Sequence, residues 1–281
     1  MKNEIPKIKF INDDHIDENS FLWRYIDISK LLSFVLDKSF FCTRLDKFED
    51  RKEGITLNHL ILKKIKNETD KFLYNNNIGN SISVEVAGGK MNRIDDEINQ
   101  IQKSNFANCW FIAEEYSESV AMWNLYSSPN SVAIKIKYSD FKRNLLQNGF
   151  IGYGNSLEIV CASIKYVNFF NPNYEGIDLV DSVFLKDLSF QHENEFRIII
   201  KKEFEKTPVE YHPQIHRKKS EKYHQIIEPF GINLKINQFE DYNFEIVFHP
   251  KSQDWIKKDI KKIIELSKVD LKFNDSLLEL K

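Results

Sequence analysis

Phe184–Ile200, FLKDLSFQHENEFRIII, is the stretch on which the reading of this chain turns, because it runs from a helix-like segment into a strand that carries an acidic pair. Side chains alternate between the two faces of a strand, so Phe196, Ile198 and Ile200 fall on one side while Glu193, Glu195 and Arg197 share the other. The apolar side belongs to a core. The charged side is either a surface ion-pair ladder or the polar floor of a cleft.

Outward from that strand, elements of both kinds mix without strict alternation. Phe21–Tyr25, FLWRY, reads as a strand, residues 28–37 as a helix with apolar positions at helical spacing, and Ser39–Thr43 as a second strand. The charged loop LDKFEDRKEG closes at Gly54, and Ile55–Tyr74 is expected to be a long amphipathic helix. NFANCWFIA from Asn105, a helix over Ser117–Tyr126 and the strand SVAIKIKY form one continuous unit. Leu157–Phe169 is β-rich, Asp181–Phe190 is expected to be helical, Tyr242–Phe248 a strand, and Ser252–Ser267 a final amphipathic helix. The pattern predicts an α+β fold: one domain over 21–281, with a mixed, largely antiparallel central sheet and flanking helices. Residues 1–20 are expected to be a flexible N-terminus and 75–104 an insert.

Composition narrows the function classes. A net charge of −2 leaves no electrostatic footprint for strong duplex DNA binding. No apolar run is long enough to span a membrane, and the N-terminus lacks a secretory h-region. Three separated cysteines, Cys42, Cys109 and Cys161, sit in apolar runs and read as reduced core residues of a cytoplasmic protein. No metal is expected: CxxC spacing is absent, and His212, His216 and His224 stand in a lysine-rich stretch that reads as solvated loop. Ala87-Gly-Gly-Lys90 fails the phosphate-loop pattern.

Three distant segments can converge on one cleft in such a fold: Arg24 in the first strand, Trp123 and Tyr126 after the central one, and Glu193 with Glu195 in the late one. The quoted motifs LWRY, KFEDRKEG, NCWFIAEEYSESVAMWNLYSS and FLKDLSFQHENEFRIII occur in the order seen in the bacterial domain of unknown function family 2971, and VFHP and SLLEL resemble its ending. Arg51 stands where that family usually has proline, and Phe190 where it usually has tryptophan.

A looser likeness is to ADP-ribosyltransferases. WFIAEEYSESVAMW is similar to their segment with an SxS motif, and ENEFRIII to the strand bearing their catalytic glutamate. The resemblance implies a split sheet, NAD as co-substrate, Glu195 as the catalytic acid and Glu193 as the first glutamate of its pair. It further implies nucleotide contacts from Arg24, Tyr25, Ser117, Trp123, Tyr126 and Arg197, a protein or nucleic-acid acceptor, and a toxin or phage-defence role. Two other readings stay open: a non-catalytic sensor or interaction module, and a metal-dependent nuclease using Asp181 or Asp187 with Glu195 and Arg197.

Overall fold

The computed structural model describes residues 7–76, 95–151, 157–170, 181–202 and 229–279. The helices seen are α1 (Ile28–Leu36), α2 (Leu57–Asn75), α3 (95–104), α4 (Val120–Tyr126), α5 (Tyr138–Asn148) and α6 (Asp254–Ser267). In chain order the strands are β1 (Ile8–Phe10), β2 (Phe21–Ile26), β3 (Ser39–Arg44), β4 (Asn105–Ala113), β5 (Val132–Lys137), β6 (Phe150–Ile151), β7 (Glu158–Ser163), β8 (Lys165–Val167), β9 (Leu185–Asp187), β10 (Glu195–Lys201), β11 (Gly231–Ile236), β12 (Glu245–Phe248) and β13 (Lys272–Asn274).

Among the described residues, eleven strands form one sheet whose main path is β1-β7-β10-β4-β2-β5-β12-β13. It is antiparallel except at its two ends, where β1 joins β7 and β13 joins β12 in parallel. The α+β class and the mixed sheet expected from the sequence are therefore present. The sheet also forks. On the edge of β4 away from β10, Phe106 and Ala107 pair with β3, whereas Phe111–Ala113 pair with β2. Between them, residues 108–110 have no register partner on that edge.

Local chemistry explains the elements that frame the fork. The Asp27 side chain accepts from the Lys30 amide at 2.8 Å and caps α1, whose Leu31, Phe34 and Val35 then lie on one helical face and are buried. In α6, Ile256, Ile260 and Ile264 recur every four residues and bury against the same side. With α5 these helices cover one face of the sheet, joining Leu22, Ile26, Trp110, Ile134, Phe196, Ile198 and Ile200 in the largest core. Each fully buried side chain of that kind contributes about 1.5–3 kcal/mol. The opposite face carries two smaller clusters, one around Ala107, Val183, Phe184 and Ile199 and one around Trp23, Tyr25, Met122 and Trp123.

Several expectations need correction. Residues 7–20 are not simply a loose leader: β1 pairs with β7, and Asp13 and Ile16 are buried. Asp13 earns its place by accepting from the Tyr138 hydroxyl and the Lys142 ammonium. Residues 95–104 are likewise integral rather than inserted, since Ile98 is buried and the Gln102 amide donates to the Glu53 carbonyl at 2.7 Å. The segment expected as a helix over 181–190 is a 3₁₀ turn (Ser182–Phe184), then β9, then a second turn (Leu188–Glu193). Pairing of β9 with β8 overrides the local helical pattern. Ala87–Lys90, His212, His216 and His224 lie outside the described residues.

Candidate functional site

Two devices bring the acidic pair into place. Asn194 adopts a left-handed conformation, φ 36° and ψ 58°, which ends the turn carrying Glu193 before β10 begins at Glu195. Glu193 thus reaches the charged face from a 3₁₀ turn rather than by strand alternation. Glu195 and Arg197 reach it by alternation, opposite Phe111 and Cys109 of β4.

The charged row is not a surface ladder. Arg197 is fully buried, and its guanidinium forms a forked pair with Glu53, at 2.8 and 3.1 Å, while donating to Glu195 at 2.7 and 3.0 Å and to the Val183 carbonyl at 2.9 Å. The planar fork of donors suits two carboxylates at once. Lys186 from β9 contacts Glu193, Glu195 at 3.4 Å and Glu53 at 3.5 Å, with its ammonium 4.8 Å from the Phe190 ring. The Tyr126 hydroxyl donates to the other Glu193 oxygen. Glu53 is held inward by the turn at Gly54, where φ is +75° and a β-carbon would stand 3.0 Å from Ile101.

Electrostatics follow the geometry. Burial alone would raise the Glu195 carboxyl, but the charges of Arg197 and Lys186 and the hydrogen bond from Arg197 hold it well below the ordinary carboxylate range. Glu195 is therefore ionised at neutral pH. Burial and the hydrogen bond to Glu193 push the Tyr126 phenol up, keeping it a donor. Burial likewise raises the Cys109 thiol, and the neighbouring Glu195 carboxylate adds to the effect.

Beside this network, at the fork of the sheet, lies a pocket of about 220 Å³. Arg24, Tyr25, Tyr126, Glu193 and Glu195 all line it, together with Lys30, Thr43, Cys109, Trp110 and Lys186. Five of the eight residues singled out in the sequence thus meet in one cavity. The other three do not line it. Arg197 stands behind Glu195 as its fully buried partner rather than as a nucleotide contact. Trp123 is fully buried, its indole N–H donating to Glu118 at 3.0 Å and its ring edge-on to Tyr25 at 4.7 Å, so it supports the wall instead of offering a stacking face. Ser117 lies in a separate surface depression with Asp17, Ser20 and Glu114. Asp181 and Asp187 also line no part of the pocket: Asp181 pairs with Lys201 at 2.6 Å, and Asp187 accepts from Ser189.

Glu53 and Lys186 were missed by the sequence reading. The available signal was weak: Lys186 sits in the apolar run FLKDL, where a lysine needs a partner if it is buried. Glu53 is one charge among many in its loop.

No family model matches the chain, and no curated protein or solved structure matches it either. Among the described residues, no group of three or more His, Cys, Asp or Glu is arranged to hold a metal ion. No described helix is long and apolar enough to cross a membrane.

Proposed function

We propose that the fork pocket binds NAD and that the protein is an ADP-ribosyltransferase-like enzyme acting on a protein or nucleic-acid acceptor, in the manner of a toxin or phage-defence effector. The observation that carries the reading is the convergence of Arg24 and Tyr25 from β2, Tyr126 from α4, and Glu193 and Glu195 around β10 on a single cavity. In the reaction, the bond between ribose C1′ and the nicotinamide nitrogen breaks, and its electron pair leaves with nicotinamide. The acceptor then bonds to C1′ and loses its proton.

An ionised Glu195 suits the positive charge that develops on the ribose, and it can accept from a ribose hydroxyl. Beside it the Tyr126 hydroxyl gives its proton to Glu193, which leaves the phenol oxygen to accept from a hydroxyl of the same sugar. Tyr25 supplies apolar ring surface. A non-catalytic binding module is the second reading, favoured by one observation: both Glu195 oxygens already accept from Arg197, and one also faces Lys186.

Nicotinamide release from NAD, assayed with and without cell lysate, separates the two. The enzyme reading expects release that falls by about two to three orders of magnitude in Glu195→Gln. Circular dichroism on the variant confirms that the fold survives. No release from the wild type under any lysate, alongside an NAD-induced rise in melting temperature, would leave the binding reading.

A further inference from the structure

Arg24 is the unusual cation among the described residues. The other arginines with buried side chains among the described residues have carboxylate partners: Arg44 pairs with Asp46 at 2.6 Å, and Arg197 with Glu53 and Glu195. Arg24 is partly buried and has no carboxylate within salt-bridge distance among the described residues. Its one hydrogen bond to a described residue is from Nη2 to the Phe41 carbonyl at 2.8 Å. That carbonyl does not depend on it, because the Asn108 side-chain amide donates to the same oxygen at 2.9 Å. The nearby carboxylates are committed elsewhere: Glu193 to Lys186 and Tyr126, Glu195 to Arg197, and Asp27 to the cap of α1.

A guanidinium taken from water without a counter-charge costs free energy, so such groups are normally paired. Arg24 instead lines the fork pocket, its guanidinium 6.0 Å from the Trp110 ring, with Thr43 and with Lys30, whose ammonium lies 3.6 Å from Asp27, on the same lining. A planar fork, an ammonium and a hydroxyl offer donors in several directions, which fits an oxyanion with three or more oxygens better than a flat carboxylate.

We propose that Arg24, Lys30 and Thr43 form a phosphoanion subsite, so that the ligand places a phosphate or pyrophosphate in the fork and its uncharged or cationic part against Glu193, Glu195 and Tyr126. The inference rests on the pocket of the proposed function but not on its bond cleavage, so the two fail separately. Ligand polarity follows from the charges that line the cavity: Glu193 and Glu195 suit an uncharged or cationic group, and Arg24, which has no carboxylate partner among the described residues, suits an anion.

Calorimetric titration of the full chain with inorganic pyrophosphate at low salt is the test, set beside the thermal unfolding of the ligand-free protein. Wild type is expected to bind, Arg24→Met to lose roughly tenfold or more in affinity, and Lys30→Ala roughly threefold. Ligand-free Arg24→Met is expected to melt at or above the wild-type temperature, because an uncompensated charge has been replaced by an apolar chain and Phe41 keeps its Asn108 donor. A purely structural arginine would give the opposite shift. The proposal is overturned if wild type does not bind pyrophosphate, if Arg24→Met binds it as well as wild type, or if that variant melts well below wild type. Thr43→Val gives a second reading of the subsite without touching a charge. Arg24-dependent pyrophosphate binding without nicotinamide release would sustain this subsite while removing the enzyme reading.

Discussion

On one face of β10, Phe196, Ile198 and Ile200 join the aromatic-rich core beneath α1, α5 and α6. One residue away on the other face, Glu195 and Arg197 are just as deeply buried, but among Glu53, Lys186 and Glu193. Burial alone therefore does not distinguish a core face from a site face. The apolar face gains by leaving water, and its members are interchangeable within limits of volume. The charged face must recover a large desolvation cost through specific partners, and loses most when one partner is removed.

The largest expected effect is on that second face. Glu53→Leu strands the Arg197 guanidinium without its forked partner and should destabilise the protein by about 3–5 kcal/mol, measured by urea unfolding. Replacing both members, Glu53→Leu with Arg197→Met, should cost less than the sum of the single changes, and a double-variant cycle would read that coupling directly. Additive losses would mean that the network has no pairwise character, and the contrast between the faces would collapse.

Ile198→Ala on the first face should cost about 2–5 kcal/mol and, unlike Glu53→Leu, should show no compensation from any change at Arg197. The two faces also differ in their response to acid. Glu195 titrates lower in the folded chain than its ordinary 4.5 in the unfolded one, so the unfolded chain takes up the proton first as pH falls. Its stabilising contribution is complete above about pH 4.5 and drains away below it. Melting temperature followed from pH 7 to pH 3 should fall less steeply in Glu195→Gln than in wild type, whereas Ile198→Ala should keep the wild-type slope.

The smallest effect belongs to the rim of the network. Tyr126→Phe removes one hydrogen bond to Glu193 from a half-exposed side chain and should cost about 0.5–1.5 kcal/mol. If the proposed enzyme reading holds, that variant should slow nicotinamide release more than its small stability change accounts for. An unchanged rate would place Tyr126 outside the reaction.

Much of this architecture was legible in the chain. FLWRY, SFFCTR, NFANCWFIA and VAIKIK announce themselves as strands by apolar, aromatic and β-branched content, and the four-residue spacing of Ile256, Ile260 and Ile264 marks a one-sided helix. The shared face of Glu195 and Arg197 follows from the two-residue period of a strand. The reading failed where local pattern met a long-range partner. Residues 181–190 look helical until β8 claims Leu185–Asp187, and the polar opening residues look loose until β7 pairs with Ile8–Phe10.

By itself, the sequence determined the α+β character, the apolar side of β10 and the chemical identity of the acidic pair, because these depend on side-chain period and composition within a few residues. Only the tertiary structure decided that the charged row is buried, that Glu53 arrives from a loop 144 residues away to hold Arg197, and that Arg24 lines the pocket without a carboxylate partner among the described residues. Charges select their partners by distance in space, and a linear order of residues does not state which distant carboxylate will come within reach of a guanidinium.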